Sequence, residues 1–262
     1  MAVHFMMQKK GGVGKSYLSS LFMQYLTDKG KKVLGIDVDP TTATLSGIEG
    51  LNAKRIELLV PDGAGSKQVN RSQFLVLCDE VIKAGKDTEI VIDSGASGYP
   101  EMCAFLKSGD FLNFLESQGY DVYIHSVLRG GNDIIPTVQS MNELLHLFPT
   151  EAFIVWINAY EDRFRVEFEG RGFQDSKLFK EFFSRFASVI TVPTYGFFTE
   201  DAGRMFSSCM TINQILKRGV FSAFQAHALL CYRNRFWEVL DKAMTDIESY
   251  RIAHAEDSKP KI

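Results

Sequence analysis

The sequence predicts an α/β fold in which a doubly wound, mostly parallel sheet carries helices on both faces. Short apolar runs alternate with longer segments of helical periodicity. The runs are also too apolar for strands with one face in water, which is typical of buried parallel strands. The candidate strands are residues 2–7, 32–38, 89–94, 120–127, 151–158 and 188–193.

Two segments between these runs show the helical spacing clearly. One follows the first strand and the other follows the fourth, and in each the apolar positions recur three or four residues apart. They are Leu18, Leu21, Phe22 and Tyr25 in the first segment, and Ile134, Val138, Met141, Leu144 and Leu145 in the second. Strands that alternate with helices in this way predict a parallel sheet covered on both sides.

Composition narrows the class of protein. The 262 residues are 45% hydrophobic and 23% charged, as in ordinary soluble globular proteins. We expect one domain over residues 1–252 and a disordered polar tail over residues 253–262. A net charge of −3 argues against a wholly basic nucleic-acid-binding protein. The absence of a signal-peptide pattern, of a long apolar run and of any CxxC pair favours the reducing cytoplasm.

The segment QKKGGVGKSY, residues 8–17, follows the first apolar run directly. Its three glycines let the backbone turn tightly and direct N–H groups at a phosphate chain, and the N-terminus of the next helix adds its dipole. Lys15 is placed to reach the β- and γ-phosphates, and the Ser16 hydroxyl to ligate Mg²⁺. The predicted nucleotide-binding residues here are Gly11, Gly12, Val13, Gly14, Lys15, Ser16 and Tyr17.

The loop departs from the pattern GxxxxGK[ST], because Lys9 or one of its neighbours stands where that pattern has its first glycine. KGGVGKS resembles the deviant Walker A motif of the ParA/MinD family of ATPases. The resemblance implies a P-loop NTPase fold, ATP and Mg²⁺ as ligands, and a homodimer when ATP is bound. It also implies that Lys10 reaches the partner's phosphates while Lys15 serves its own subunit, so both lysines are candidate catalytic residues.

Carboxylates stand at the ends of two further predicted strands. Asp37 and Asp39 lie two residues apart, so both side chains project to the same side of an extended strand end. Residues 33–45 resemble the second motif of the family, which places Asp39 near the attacking water and Asp37 near the metal. Asp93 matches the Walker B position that holds a magnesium-bound water. The predicted metal-site residues are therefore Ser16, Asp37 and Asp93, and Asp39 is the predicted catalytic carboxylate.

The continuation after Asp93 departs from the family pattern. ParA proteins are usually proline-rich here, whereas this chain has Ser94-Gly95-Ala96-Ser97. Together with FIVWINAY (153–160) and VPTYGFFTEDAGRMF (192–206), this departure resembles TraL-type conjugal-transfer and StbB-like plasmid proteins. The resemblance implies plasmid transfer or segregation as the process, with a protein partner from it.

Two positions are candidates for contact with the adenine base of the nucleotide. In related ATPases, an asparagine that ends the strand equivalent to FIVWIN and a proline after the next strand flank the adenine. These positions correspond to Asn158 and Pro193. The alternative is that Asn158 caps a turn and Pro193 stops a strand.

Two aromatic stripes are interpreted as structural. Phe179, Phe182, Phe183 and Phe186 are predicted to share the buried face of one helix. The stripe Phe236, Trp237, Leu240, Met244 and Ile247 is expected to pack on the sheet. Acidic residues on the polar side of this C-terminal segment would repel anionic lipid, so we do not expect membrane binding.

The remaining charged and titratable residues give no firm site. Four basic residues late in the chain could form a patch for nonspecific DNA binding, but a solvated face explains them equally well, so direct DNA binding stays open. They are Lys217, Arg218, Arg233 and Arg235. The five histidines show no metal-ligand spacing.

These motifs predict an ATP-hydrolysing dimeric switch, slow and stimulated by a partner. A nucleotide-dependent scaffold or regulatory module with negligible hydrolysis is the alternative. An ATP-dependent ligase of the dethiobiotin-synthetase kind shares the predicted fold. The ligase is disfavoured because, in the family that the loop resembles, the lysine at the position of Lys10 acts across the dimer interface. The rest of the sequence also shows no group of residues that would bind a small substrate.

Overall fold

The computed structural model describes residues 1–61, 67–108, 110–159, 165–168, 170–195 and 199–257. The strands are β1 (Ala2–Met6), β2 (Lys32–Asp37), β3 (Ala53–Arg55), β4 (Leu59–Pro61), β5 (Lys67–Val69), β6 (Thr88–Asp93), β7 (Asp121–Leu128), β8 (Ala152–Ile157), β9 (Glu167–Phe168), β10 (Arg171–Gly172) and β11 (Phe186–Thr191). The helices are α1 (Lys15–Asp28), α2 (Arg71–Ala84), α3 (Tyr99–Ser108), α4 (Phe111–Ser117), α5 (Ile134–Leu147), α6 (Lys177–Glu181), α7 (Thr199–Ser207), α8 (Ile212–Arg218) and α9 (Ala223–Asp257).

Seven of these strands form one parallel sheet in the order β11-β8-β7-β1-β6-β2-β3. β1 lies near the middle, and the chain adds strands on both sides of it. The strand order therefore reverses beside β1, and ligands of such sheets bind at the carboxyl edge at this point. The predicted doubly wound fold is confirmed, and all six predicted strands exist, with ends that differ by at most two residues.

Each face of the sheet has its own hydrophobic core. Along β1, Val3 and Phe5 face the core that α2 to α5 cover, whereas Ala2 and Met6 face the core that α1, α8 and α9 cover. This alternation is the two-residue period of a strand. Because both faces are covered, β1 is buried along its whole length, which explains its continuous apolar sequence.

A polar chain crosses the second core. The Trp156 indole N–H donates to His125 Nδ1 at 2.8 Å, so His125 Nε2 carries the proton that is donated to His4 Nδ1 at 2.8 Å. Burial lowers the pKa of His4 to about 3 and that of His125 well below its ordinary value. This His–His–Trp chain is therefore neutral, and it ties β1, β7 and β8 together.

The C-terminal helix packs as predicted. Phe236, Leu240 and Ile247 are buried in the second core, where α9 lies against β11. The helix continues to Asp257, so the prediction of a disordered tail is wrong for residues 253–257. Residues 258–262 lie outside the described residues. Among the helices that the structure describes, none has both the length and the apolar character that crossing a membrane requires.

The predicted phenylalanine helix is wrong. Phe179 lies in the five-residue helix α6, Phe183 lies in a separate 3-10 turn, and Phe186 begins β11. The chain changes from helix to strand within this stretch, so helical periodicity does not continue through it. Phe179 still stacks on Phe186 with ring centroids 5.3 Å apart, while Phe183 is exposed.

Candidate nucleotide-binding site

The loop between β1 and α1 is shaped by glycine and anchored from beneath. Gly12 and Gly14 have φ angles of +73° and +97°, which L-residues with side chains rarely adopt. A Cβ atom on Gly14 would also lie 2.7 Å from the Asn158 Nδ2 atom. The buried Gln8 side chain donates to the Val127 carbonyl at 2.8 Å, which fixes the start of the loop.

Lys15 bends back over this loop. Its ammonium donates to the Lys10 carbonyl at 3.1 Å, and only 6% of the residue is exposed. Burial lowers the pKa of Lys15, and the carboxylates of Asp93 and Asp39 partly oppose this shift. A desolvated cation beside a cradle of backbone N–H groups is suited to bind phosphate.

Asp93 ends β6 beneath the loop and is fully buried. Ser19 donates to its Oδ1 at 2.9 Å, and the nearby Ser16 hydroxyl also favours the charged form of this carboxylate. Burial raises the pKa of Asp93 to about 7. Its Oδ2 accepts no hydrogen bond within the described residues.

A hydrated Mg²⁺ fits this arrangement. A metal-bound water would satisfy the orphaned Asp93 oxygen, and the Ser16 hydroxyl is a hard ligand of the kind that Mg²⁺ takes. The described residues contain no group of three or more His, Cys, Asp or Glu placed to hold a metal ion. Phosphate and water oxygens would therefore supply most ligands, as is usual for Mg²⁺.

Asp37 braces the neighbouring turn. Its Oδ2 accepts from the Ser46 N–H at 2.9 Å and from the Ser46 hydroxyl at 3.0 Å. Its Oδ1 accepts from the Asp39 N–H at 3.1 Å. Both carboxylate oxygens are thus engaged by the chain itself, and the role of Asp37 at the metal stays a prediction.

The loop opens into a cavity of about 740 Å³, which is within the range of roughly 300–1,000 Å³ for small-molecule sites. One end is polar and is lined by Lys15, Ser16 and Asp39. The other end is aromatic and is lined by Tyr17, Tyr195, Phe206 and Tyr232. We call these the phosphate end and the base end, after the ligand groups that the sequence predicts there.

The base end brings together residues that are far apart in sequence. The Tyr17 ring meets Phe206 edge-on with centroids 5.5 Å apart, and its hydroxyl donates to the Tyr232 hydroxyl at 3.3 Å. Burial raises the pKa of Tyr232 to about 12. Both phenols are therefore neutral near pH 7.

Asn158 lies where the two ends meet. Its Nδ2 donates to the Val13 carbonyl at 2.8 Å, and its buried Oδ1 has no hydrogen-bond partner among the described residues. The amino group of a base could satisfy this acceptor. The described residues that line the cavity include Tyr195 but not Pro193, so the predicted adenine contact of Pro193 stays a prediction.

Lys10 points away from this cavity. Its ammonium lies 3.4 Å from Asp133 Oδ1, and its side chain is 43% exposed. Arg129, which the sequence reasoning missed, approaches the same Asp133 from Nε at 3.6 Å and donates to the Gly12 carbonyl at 2.6 Å. The available signal was its position just after a predicted strand, at the carboxyl edge of the sheet.

Some of the features predicted from the sequence contribute no residue to the lining of the cavity. Arg218 is paired with Glu49 at 2.6 Å, and Arg233 donates to Asn213 at 2.8 Å. These two members of the basic patch therefore have local partners, and direct DNA binding stays open. Tyr160 of FIVWINAY and residues 196–198 of the late segment lie outside the described residues.

A parallel sheet with this loop at its switch point defines a P-loop NTPase of the deviant Walker A class. The family described as CobQ/CobB/MinD/ParA nucleotide binding domain matches residues 5–227, and the chain belongs to this family. Two Escherichia coli relatives, each named Protein TraL, are 34% and 30% identical over 247 residues, covering 92% of this chain and 98% of theirs. These matches confirm the predicted ParA/MinD and TraL-type resemblance.

Solved structures with a related fold include the MinC:MinD cell division protein complex of Aquifex aeolicus. It is 18% identical with a TM-score of 0.45, covering 90% of this chain and 95% of that chain. A ParA family ATPase from Chlorobium tepidum TLS is 12% identical with a TM-score of 0.43, covering 88% and 98% respectively.

Proposed function

We propose that this chain binds and hydrolyses ATP with Mg²⁺ and acts as a dimeric switch in plasmid conjugal transfer or segregation. The observation that carries this proposal is that Lys15, Ser16 and Asp39 line one cavity, with the buried Asp93 carboxylate near enough to act on the Lys15 ammonium. The similarity to two proteins named TraL favours the plasmid process and a protein partner from it.

Each group at the phosphate end has a role in this proposal. Lys15 and the loop N–H groups bind the phosphates, while Ser16 and Asp93 hold the metal and its water. Bound Mg²⁺ neutralises the charge that develops on the phosphates. Asp39 orients the attacking water. At the base end, Asn158 accepts from the adenine amino group and Pro193 flanks the ring.

Lys10 acts in the neighbouring subunit. Its side chain is half-exposed, so a second copy can approach the ammonium, and the partner's phosphates would replace Asp133 as its counter-charge. Two-fold symmetry would bring each Lys10 to the partner's phosphates and give both sites the same contact. There it would stabilise the charge of phosphoryl transfer.

Light scattering with a slowly hydrolysed ATP analogue tests this dimer. The wild type should dimerise, while Lys10→Ala should bind the analogue, stay monomeric and lose turnover. Lys9→Ala is the matched control, because Lys9 is the adjacent exposed lysine and pairs with Glu143 at 3.4 Å. A wild type that stays monomeric at saturating analogue while turning over ATP would rule out the role of Lys10.

One observation favours the alternative of a nucleotide-dependent scaffold with negligible hydrolysis. The Asp39 carboxylate already accepts hydrogen bonds from the Thr41 N–H at 2.8 Å and the Thr42 hydroxyl at 3.1 Å, which engages it within its own turn. Steady-state phosphate release, measured with and without DNA and candidate transfer proteins, separates the two functions. Slow release that a partner stimulates supports the switch, and ATP binding without release supports the scaffold.

A further inference from the structure

Two loops of the cavity run side by side. β2 and β6 are parallel neighbours, and their last residues, Asp37 and Asp93, are in register. The Val38 N–H donates to the Asp93 carbonyl at 3.0 Å. Two residues beyond these strand ends, Asp39 lies against Gly95. Contact between the loops at this point therefore bears directly on the position of the Asp39 carboxylate.

The Asp39 carboxylate occupies the space that a side chain at position 95 would need. A Cβ atom added to Gly95 would overlap the carboxylate carbon and both of its oxygens. The backbone does not require glycine here, because a φ of −66° and a ψ of 154° are open to ordinary L-residues. The need for glycine comes from the contact with Asp39.

The turn that follows Asp39 holds the carboxylate in this place. The Thr41 N–H and the Thr42 hydroxyl donate to it at 2.8 and 3.1 Å. The Thr41 hydroxyl is also hydrogen-bonded to the Ser97 hydroxyl at 2.8 Å, which ties this turn to the loop after β6. A side chain at position 95 would push the carboxylate out of these hydrogen bonds.

We propose that Gly95 is a positioning residue whose missing side chain sets the place of the Asp39 carboxylate in the cavity. Gly95 acts through Asp39 and does not itself line the cavity. Lys15 and Ser16 lie on a separate segment, so ATP binding should not depend on Gly95. The consequence for turnover rests on the proposed function, whereas the consequence for stability does not.

A thermal-unfolding cycle on nucleotide-free protein tests the contact. Gly95→Ala should lower the melting temperature by about 3–6 °C, as overpacking does. Adding Gly95→Ala to Asp39→Ala should cost almost nothing, because the shorter side chain removes the overlap. If Gly95→Ala does not fold, recovery of folding in the double variant supports the proposal. Equal losses in both backgrounds, or no loss in either, would overturn it.

Gly172→Ala is the matched control. Gly172 also precedes a one-turn 3-10 helix, with a φ of −69° and a ψ of 167°, but a Cβ atom there would meet nothing within 4 Å. This variant should keep the wild-type melting temperature and turnover. A loss of stability like that of Gly95→Ala would show that glycine before such a turn matters for a reason other than Asp39, and would overturn the proposal.

Turnover distinguishes positioning from general damage. In Gly95→Ala, kcat should fall at least about tenfold while KM for ATP stays within about twofold. Unchanged kcat in a variant that folds would overturn the proposal. If the wild type releases no phosphate under any condition, the proposed hydrolysis fails instead, and the unfolding cycle still decides whether Gly95 positions Asp39.

Discussion

The phosphate end and the base end of the cavity are built differently. The phosphate end consists of three short segments that each follow a strand of the sheet, and its contacts are hydrogen bonds and charges around Lys15, Asp39 and Asp93. The base end is assembled from rings on distant elements, such as Tyr195 and Tyr232 with centroids 4.4 Å apart. The first end depends on local backbone geometry, and the second on how helices pack.

The difference predicts where binding energy and specificity come from. Hydrogen bonds that involve a charged group contribute about 1.5–3 kcal/mol each, so the phosphate end should supply most of the affinity and all of the chemistry. Aromatic contacts add about 0.5–1.5 kcal/mol beyond burial, so the base end should tune which nucleotide binds. Asn158 donates to the Val13 carbonyl of the loop and lines the same cavity as the aromatic residues.

Replacing Asp39, the proposed catalytic carboxylate, tests the chemistry of the phosphate end. Asp39→Ala should lower phosphate release by about 1,000-fold, because a group that orients water contributes on the order of 10²–10⁴-fold. ATP affinity should persist, so the protein should accumulate in the ATP-bound state. Single-turnover release and nucleotide titration measure both quantities. Loss of binding together with hydrolysis would make Asp39 a structural or metal residue.

Replacing the buried lysine tests affinity at the same end. Lys15→Ala should weaken ATP binding about 100-fold, because it removes a desolvated, charge-assisted contact worth about 3 kcal/mol. Titration with a fluorescent ATP analogue measures this loss, and Lys9→Ala should bind as the wild type does. Wild-type affinity for the analogue in Lys15→Ala would show that this lysine does not bind the phosphates.

Acidification tests the His–His–Trp chain, which lies beneath both ends of the cavity. This chain ties the strand before the loop to the strand before Asn158. The unfolded chain binds a proton at each histidine below about pH 6.5, whereas folded His4 stays neutral down to about pH 3. The unfolded state therefore gains protons first, and stability falls as the pH falls. From pH 7 to pH 5 the loss is about 2 kcal/mol per histidine.

Comparison with His4→Gln isolates this effect. Urea unfolding at the two pH values should show the wild type losing about 2 kcal/mol more than the variant. Burial raises the pKa of Asp93 and of Glu151 to about 7. These carboxyl groups are present in both proteins, so their opposite contributions cancel to first order. Equal losses in the two proteins would contradict the prediction.

The smallest effect is expected at the base end. Asn158→Ala should weaken ATP binding about tenfold, through loss of one buried amide contact. Inorganic triphosphate should bind within about twofold of its wild-type affinity, because it does not reach the base end. Asn113→Ala, on the opposite face of the sheet and exposed, is the control. An equal loss for triphosphate would show that Asn158 serves the phosphate loop through Val13.

The fold and the polar lining of the cavity could be predicted because their signals are short-range. Gly12, Gly14, Lys15 and Ser16 lie in one loop, and the carboxylates follow strands that continuous apolar runs reveal. The same reasoning failed at Phe179–Phe186, because spacing alone cannot show where a helix gives way to a strand. It also missed Arg129, because a position just after a predicted strand does not show that the side chain reaches the Gly12 carbonyl.

By itself, the sequence determined the parallel sheet, the glycine loop and the order of the carboxylates at the strand ends, because each is encoded within a few consecutive residues. The tertiary structure alone decided that Tyr17 meets Phe206 and Tyr232, that His4 pairs with His125 across 121 positions, and that Asp39 lies on Gly95. Such contacts depend on strand order and on which helix covers which face. They are stabilised by the burial of apolar surface over the whole chain, and no short segment of the sequence encodes them.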